Sequence, residues 1–154
     1  MIGAGRIGLP IAVSFASSGQ NVKLLERDQN RVDEINLGRS PFEEPEMADI
    51  LKECVLNGSL AATSDGGVMK SCETIICAVG TGLDEDMAPD LDGMTGIVNT
   101  LSDNLSSGAL LIFKTTLPVG TTEILSEKLS HATGFSLGSD LFVAFCPERI
   151  VEGK

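Results

Sequence analysis

The feature that most constrains the fold of this chain is a regular alternation of short apolar runs with amphipathic stretches. The apolar runs cover residues 21–26, 60–63, 74–79, 109–114 and 141–146. The amphipathic stretches between them cover residues 6–18, 28–36, 45–57, 66–71, 94–106 and 120–131. Short runs that are apolar throughout are typical of strands buried on both faces, as in parallel sheets. The alternation therefore predicts an α/β fold, a doubly wound, Rossmann-like parallel sheet with helices on both faces.

Length and composition limit the classes of protein that remain. The 154 residues suffice for one domain, and 42% hydrophobic with 21% charged residues is the balance of a globular chain. The net charge of −11 argues against nucleic acids and anionic membranes as partners. No apolar run approaches the ~18 residues of a membrane helix. The four cysteines form no CxxC pair and lack histidines at zinc-site spacing, so we expect no metal site and a reduced, cytoplasmic domain.

A glycine motif, Gly3-Ala4-Gly5-Arg6-Ile7-Gly8, leads into the first amphipathic stretch. In a dinucleotide-binding loop, Gly3 would permit a tight turn, Gly5 would let backbone N–H groups approach a pyrophosphate, and Gly8 would allow close helix–strand packing. Alone the motif is weakly specific, because a chain with 17 glycines can produce it by chance. The apolar helix that follows it, and the strand after that helix, strengthen the interpretation.

Glu26 ends the strand that follows this helix, 18 residues beyond Gly8. A carboxylate about 20 residues after the motif can accept hydrogen bonds from the adenosine ribose and repels a 2′-phosphate. Arg27, the next residue, is the one feature that would favour NADP. We therefore predict that the chain binds NAD.

The position of the motif has a consequence for the first strand. Only Met1 and Ile2 precede Gly3, whereas a strand needs about five residues. We expect this central strand to be truncated. The last apolar run is likewise followed by no helical pattern before Lys154.

Two further segments follow apolar runs, at the edge where parallel sheets place ligand contacts. In residues 114–122, Thr121 or Thr122 is predicted to be an N-cap, a role that does not explain Thr116. Glu148, just after the last run, could be a general base or an ion-pair partner of Arg149, and spacing alone leaves both open.

Five segments in order resemble the UDP-glucose/GDP-mannose dehydrogenase family: GAGRIGLP, RVDEINLGRSPFEEPEM, CAVGTGLDED, KTTLPVGTTE and CPERIVEGK. The resemblance spans essentially the whole chain, and INLGRSPFEEPE and TTLPVGTTE are far more specific than the glycine motif. The last segment is most similar to UDP-N-acetylmannosamine-type dehydrogenases. The resemblance implies that residues 1–154 form the NAD-binding domain of a larger enzyme. Enzymes of this family oxidise the C6 hydroxymethyl of a nucleotide sugar to a carboxylate and use two NAD. The expected substrate is a UDP-sugar.

The resemblance also implies roles for individual residues. It places cofactor contacts at Gly3, Gly5, Ile7, Gly8, Glu26, Arg31, Thr81, Thr116 and Glu152. It places the nucleotide-sugar substrate along Glu148, Arg149, Ile150, Val151 and Glu152. Two of these are implied to be catalytic: Thr116 helps to position water, and Glu148 is the base that hydrolyses a thioester intermediate.

The chain also departs from the family pattern. The family's V-P-T-P loop here reads Val79-Gly80-Thr81-Gly82, and the two glycines restore freedom that proline removes. The family's nucleophilic cysteine and its partners belong to later domains, so the resemblance implies that the central helical and C-terminal substrate domains are absent from this chain. We therefore expect NAD binding without full turnover, and a parent enzyme that is a homodimer or larger.

Two alternatives remain open. A stand-alone NAD-binding sensor without a reaction is favoured by the absence of a complete catalytic set, and the gene beyond Lys154 would distinguish it. Another hydride-transfer enzyme, such as a hydroxyacid or phosphogluconate dehydrogenase, would share the glycine loop. The SPFEEPE and CPER segments argue against that third interpretation.

Overall fold

The computed structural model describes residues 1–44, 46–80 and 91–149. In these ranges the strands are β1 Val22–Leu25, β2 Leu60–Thr63, β3 Thr74–Cys77, β4 Ala109–Phe113 and β5 Leu141–Phe145. The helices are α1 Gly8–Ser17, α2 Gln29–Asn36, α3 Met47–Leu56, α4 Leu91–Asn104 and α5 Thr121–Thr133, and Gly66–Ser71 is a 3₁₀ helix. The described residues belong to two compact units, residues 1–65 and residues 66–149, which are described separately.

The first unit is built on the parallel pair β1–β2. The register runs from Val22 opposite Leu60 to Leu25 opposite Thr63. Helix α1 packs against β1 and α3, and α2 packs against β2. The apolar runs of the sequence predicted an apolar core between these elements. The buried side chains that join them include Leu9, Ala12, Val13, Leu24, Val32, Ile35, Leu51 and Leu60.

The first three residues of the chain lie beside β1. The N–H of Leu25 donates to the carbonyl of Met1 at 2.8 Å, and the N–H of Gly3 donates to the carbonyl of Leu25 at 2.9 Å. These bonds form one parallel bridge between Ile2 and Leu25. This single bridge anchors the start of the glycine motif on β1.

The edge of β2 that faces away from β1 is occupied by the side chain of Asn36. The Asn36 amide donates to the carbonyl of Ala62 at 2.9 Å and accepts from the N–H of Ala62 at 2.8 Å. Asn36 ends α2, so this pair of bonds ties α2 to the strand. One asparagine side chain therefore supplies the two hydrogen bonds that a neighbouring strand would make at this position.

The second unit is built on three parallel strands in the order β3–β4–β5. Thr74 lies opposite Leu110, and Ala109 lies opposite Leu141. Helix α5 packs against β5 and α4, and α4 also packs against the 3₁₀ helix. Alternate residues of β4 are buried, ending with the fully buried Phe113. Because the strands are parallel, the residues that follow β4 and β5 emerge at the same edge.

The predicted strands all correspond to observed ones, and the α/β class with parallel pairing is confirmed. The predicted cap at Thr121 or Thr122 is wrong. The N-cap of α5 is Gly120, whose φ of 84° is left-handed, and Thr121 is buried in the first turn. Glycine adopts this conformation without steric cost, so the turn after Pro118 can enter the helix without a hydroxyl cap.

Candidate functional site

The glycine motif forms a loop that is fixed to the end of β1. Gly3 has a φ of 93°, a conformation that glycine adopts readily. The buried N–H of Ala4 donates to Oε2 of Glu26 at 3.0 Å. An added Cβ on Gly5 would meet no heavy atom within 4 Å, so the backbone faces open space at this position. A ligand could approach the Gly5 backbone closely, as the sequence predicted.

Helix α1 begins immediately after this loop. Its N-cap, Ile7, makes no side-chain capping bond, and Gly8 is buried. The first N–H groups of an α-helix have no partner within the helix, and together with the helix dipole they favour anions. The open face of Gly5 and the uncapped helix start thus combine in one segment the features that bind a pyrophosphate.

The Glu26 carboxylate directly follows β1 and is only 9% exposed. Its Oε2 accepts the Ala4 N–H, and its Oε1 accepts the N–H of Asp28 at 3.1 Å. Arg31 lies with Nη1 3.7 Å from Oε2. The structure therefore brings together Glu26 and Arg31, two of the residues at which the resemblance implied cofactor contacts. Arg27, by contrast, is exposed.

The orientation of Arg31 depends on a residue that the sequence analysis missed. The side chain of Asp28 accepts from the backbone N–H groups of Asn30 and Arg31, and so caps α2. An aspartate at the first position of an amphipathic stretch was the available signal, because Asp is among the preferred N-cap residues. This cap fixes the first turn of α2, from which Arg31 reaches Glu26.

In the second unit, Lys114 and Glu148 form an ion pair at the edge where β4 and β5 end. Lys114 Nζ lies 3.1 Å from Glu148 Oε2, and each side chain is 18% exposed. The N–H of Glu148 also donates to the carbonyl of Lys114 at 2.9 Å. The sequence left Glu148 between a general base and an ion-pair partner of Arg149, and the described ion pair of Glu148 is with Lys114. The backbone N–H of Arg149 donates to Oε1 of Glu148 at 2.8 Å.

Two threonines follow Lys114 with different surroundings. Thr116, a predicted site residue, is exposed. The hydroxyl oxygen of Thr115 is buried and has no hydrogen-bond partner among the described residues. A buried hydroxyl left in this state costs about 1–3 kcal/mol. Thr115 was not predicted as a site residue, and only the tertiary structure distinguishes it from its neighbour.

The four cysteines are free. Cys77 is buried, and burial raises the pKa of its thiol. Cys146 is exposed, and its Sγ lies 4.0 Å from Lys114 Nζ. In the part of the chain that the structure describes, His, Cys, Asp and Glu side chains do not gather in groups of three that could hold a metal ion.

Some predicted positions lie outside the described residues: Thr81, Ile150, Val151 and Glu152. Among residues 1–44, 46–80 and 91–149, no helix is both long enough and apolar enough to cross a bilayer.

The residues of the first unit fit the requirements of NAD. The open face of Gly5 admits a pyrophosphate, the uncapped start of α1 favours its charge, and the Glu26 carboxylate lies at the end of the next strand along the chain. These three features together define a dinucleotide-binding domain, and the buried acid suits a free ribose 2′-hydroxyl.

Comparison with known proteins agrees with this class. Residues 1–154 match the model of the UDP-glucose/GDP-mannose dehydrogenase family, NAD binding domain. The chain is 36% identical over 154 residues to UDP-N-acetyl-D-mannosamine dehydrogenase of Pyrococcus horikoshii, covering 100% of this chain and 37% of the relative. It is 32% identical over 161 residues to the enzyme of the same name from Escherichia coli K12, covering 100% of this chain and 38% of the relative. A solved structure of UDP-D-ManNAc dehydrogenase from Pyrococcus horikoshii superposes with a TM-score of 0.93 at 37% identity, over 97% of this chain and 36% of that one.

The chain therefore belongs to the UDP-glucose/GDP-mannose dehydrogenase family and comprises its NAD-binding domain. The similar proteins are dehydrogenases, and the most similar of those named here act on UDP-N-acetyl-D-mannosamine. The chain spans little more than a third of their length, 37% and 38% respectively.

Proposed function

We propose that this chain is the cofactor-binding part of a nucleotide-sugar 6-dehydrogenase that uses NAD. The observation that supports this most strongly is the carboxylate of Glu26, which two backbone N–H groups orient in a buried position beside the glycine loop. A carboxylate that cannot turn away accepts bonds from a ribose hydroxyl and repels a 2′-phosphate. The proposed cofactor is consequently NAD rather than NADP.

The roles proposed for individual residues follow the resemblance. Backbone groups of the loop contact the pyrophosphate, and Glu26 with Arg31 contacts the adenosine ribose. The proposed cofactor contacts are Gly3, Gly5, Ile7, Gly8, Glu26, Arg31, Thr81, Thr116 and Glu152. The proposed substrate contacts are Glu148, Arg149, Ile150, Val151 and Glu152. The buried hydroxyl of Thr115, which follows β4, has no hydrogen-bond partner among the described residues. Water or a ligand could supply that hydrogen bond.

The proposed reaction converts a C6 hydroxymethyl to a carboxylate. Two hydrides leave the carbon for two NAD, and water supplies the second oxygen. Glu148 is proposed as the base that removes a proton from this water, and Thr116 as a residue that helps to position it. The ion pair supports this role, because Lys114 holds the Glu148 carboxylate at the edge where β4 and β5 end.

The proposed substrate is a UDP-sugar with an N-acetylated hexose, in keeping with the names of the most similar relatives. The proposed compartment is the cytoplasm, which suits four free cysteines. The proposed active form is a homodimer or larger assembly of the full-length enzyme. The chain by itself is proposed to bind NAD without turnover.

Cofactor binding is tested by calorimetric titration of the purified chain with NAD and with NADP. We expect NAD to bind and NADP to bind at least tenfold more weakly, since a buried carboxylate opposes the 2′-phosphate. Absence of NAD binding by the folded chain would contradict the proposal.

The Gly5→Val variant locates the cofactor on the loop. Gly5 has no positive φ, and an added Cβ meets no atom, so the variant should fold normally. The branched side chain would occupy the space above the loop, and we expect NAD affinity to fall at least tenfold. Gly96→Ala is the matched control, because Gly96 is an exposed glycine of α4 with equal space around it, and this variant should keep the affinity of the unaltered chain.

The reaction is tested in a hybrid in which this chain replaces the corresponding part of the Pyrococcus horikoshii relative. With UDP-N-acetyl-D-mannosamine we expect two NADH for each sugar oxidised. Glu148→Gln should slow carboxylate formation about 10²–10⁴-fold, the usual contribution of a general base. A hybrid that forms one NADH for each sugar, or a Glu148→Gln variant at full rate, would contradict the proposed roles.

A further inference from the structure

The first unit contains a cavity that is separate from the cofactor site. It lies where β1 and β2 begin, at the other end of these strands from Glu26 and the glycine loop. Its volume is about 420 Å³, and it opens to solvent. Its walls come from the last turns of α1 and α3 and from the connections that lead from these helices to β1 and β2.

Two helices end at this cavity. Helix α1 ends at Ser17 and helix α3 at Leu56, and residues from the last turn of each line the cavity. The last carbonyl groups of an α-helix have no N–H partner within the helix, and they carry the negative end of its dipole. A basic side chain in the last turn would offset this charge, but neither α1 nor α3 has one. The two helix ends therefore give the cavity a negative potential.

The backbone beyond each helix is open to a ligand. Gly19 follows α1, Gly58 follows α3, and both line the cavity. An added Cβ on either glycine would meet no heavy atom within 4 Å. A donor group of a ligand can consequently come close to the carbonyl oxygens of both turns.

Glu53 adds a full negative charge to this potential. Among the described residues that line the cavity, it alone is charged. It lies in the last turn of α3, where the helix dipole repels a carboxylate. The described ion pairs of the chain do not include it. The neighbouring Lys52 lies beside Gly38 and does not line the cavity. A bound cation would therefore be favoured by two helix ends and a carboxylate together.

The size and lining of the cavity favour an organic cation over a metal ion. A volume of about 420 Å³ is far larger than an ion, and Glu53 is a single carboxylate. Ile50, which is 39% exposed, gives the cavity an apolar side. Gln20 and Asn21 contribute amide groups. The net charge of −11 attracts cations and opposes anions.

We propose that this cavity binds a small aliphatic ammonium ion. Its N–H groups donate to the Glu53 carboxylate and to carbonyl oxygens at the ends of α1 and α3, and its hydrocarbon part lies against Ile50. The inference is independent of the proposed function, because the cavity contains no residue of the glycine loop.

The probe for this site is 1,4-diaminobutane. It is titrated into the purified chain at constant ionic strength, and binding is followed by NMR of the backbone amides. We expect saturable shifts at Gly19, Gly58 and Ser59, which line the cavity. 1,4-Butanediol has the same length without charge and should cause no such shifts. Equal binding of the diol would overturn the recognition of charge, and a diamine without saturable shifts would overturn the site.

The Glu53→Gln variant tests the carboxylate. We expect it to weaken the diamine about three- to fivefold, the upper part of the range of solvated ion pairs. It should fold at least as stably as the unaltered chain, because an acid leaves the last turn of α3. Asp49→Asn is the matched control: Asp49 is an exposed acid in the first turn of the same helix, outside the cavity. Equal diamine affinity of the two variants would overturn the role of Glu53.

An ammonium supplied by the chain itself should compete with the probe. Asn21 is an exposed residue of the cavity lining, and Asn21→Lys should weaken the diamine about threefold or more. Asn30→Lys makes the same change at an exposed position of α2 outside the cavity and should have less than half this effect. Equal losses in the two variants would show only a general effect of charge and would overturn the site. A chain that binds NAD but not the diamine overturns this inference and leaves the proposed function standing.

Discussion

Replacing Glu26 with glutamine is expected to lower the free energy of unfolding by about 2–3 kcal/mol and NAD affinity at least tenfold. The two carboxylate oxygens accept N–H groups from Ala4 and Asp28. A glutamine amide has one oxygen, so its NH₂ group must face one of these donors. The loop or the turn before α2 would then lose its anchor, and the ribose would lose one acceptor.

Glu34→Gln is the control for this prediction. Glu34 is 47% exposed and pairs with Arg39, so the variant removes the same charge from a solvated ion pair. Solvated ion pairs contribute little to stability, and we expect the free energy of unfolding to change by no more than about 0.5 kcal/mol. Urea denaturation gives the two free energies, and calorimetry gives the affinities. Equal stability of the two variants would show that the Glu26 carboxylate does not fix the loop.

Replacing Asn36 with alanine is expected to lower the free energy of unfolding by about 2 kcal/mol. The Asn36 amide makes both hydrogen bonds to the backbone of Ala62. Alanine leaves this N–H and this carbonyl at the edge of β2 without their partner, and releases α2 from the strand. Amide hydrogen exchange at Ala62 should accelerate in the same variant, because its N–H loses its acceptor.

Two variants make the test specific. Asn36→Asp keeps the acceptor for the Ala62 N–H but places a second acceptor opposite the Ala62 carbonyl, so it should be at least as unstable as the alanine variant. Asn30→Ala changes an exposed asparagine of the same helix and should leave stability unchanged or slightly raised. If Asn36→Ala matched Asn30→Ala in stability and in exchange at Ala62, the edge contact would contribute nothing.

The secondary structure could be predicted because each element has a local pattern. The runs that became β1 to β5 are apolar on both faces, and the glycines after α1 and α3 have φ values of 93° and 79°, as C-terminal helix glycines should. Residues 66–71 were predicted only as an amphipathic stretch and form a 3₁₀ helix. Six residues are too few for periodicity to distinguish the two kinds of helix.

The partners of the site residues were less predictable. Glu26 and its spacing from Gly8 could be read directly, because the βαβ unit imposes that distance. The same reasoning left Glu148 between two roles and did not identify Lys114, 34 residues earlier in the chain. Their contact depends on the register of β4 with β5, in which Phe113 lies opposite Phe145. Register is a property of the folded sheet that neither strand encodes alone.

By itself, the sequence determined the α/β class, the family, the glycine loop and the acid at the end of β1, since each depends on residue type and short spacing. Tertiary structure alone decided what these residues touch. It placed Ala4 and Asp28 on Glu26, Lys114 on Glu148, Asn36 on the edge of β2 and Phe42 beneath Arg6. The physical reason is that hydrogen bonds, ion pairs and cation–π contacts act over a few ångströms, whereas the partners lie up to 36 residues apart in the chain, as Arg6 and Phe42 do.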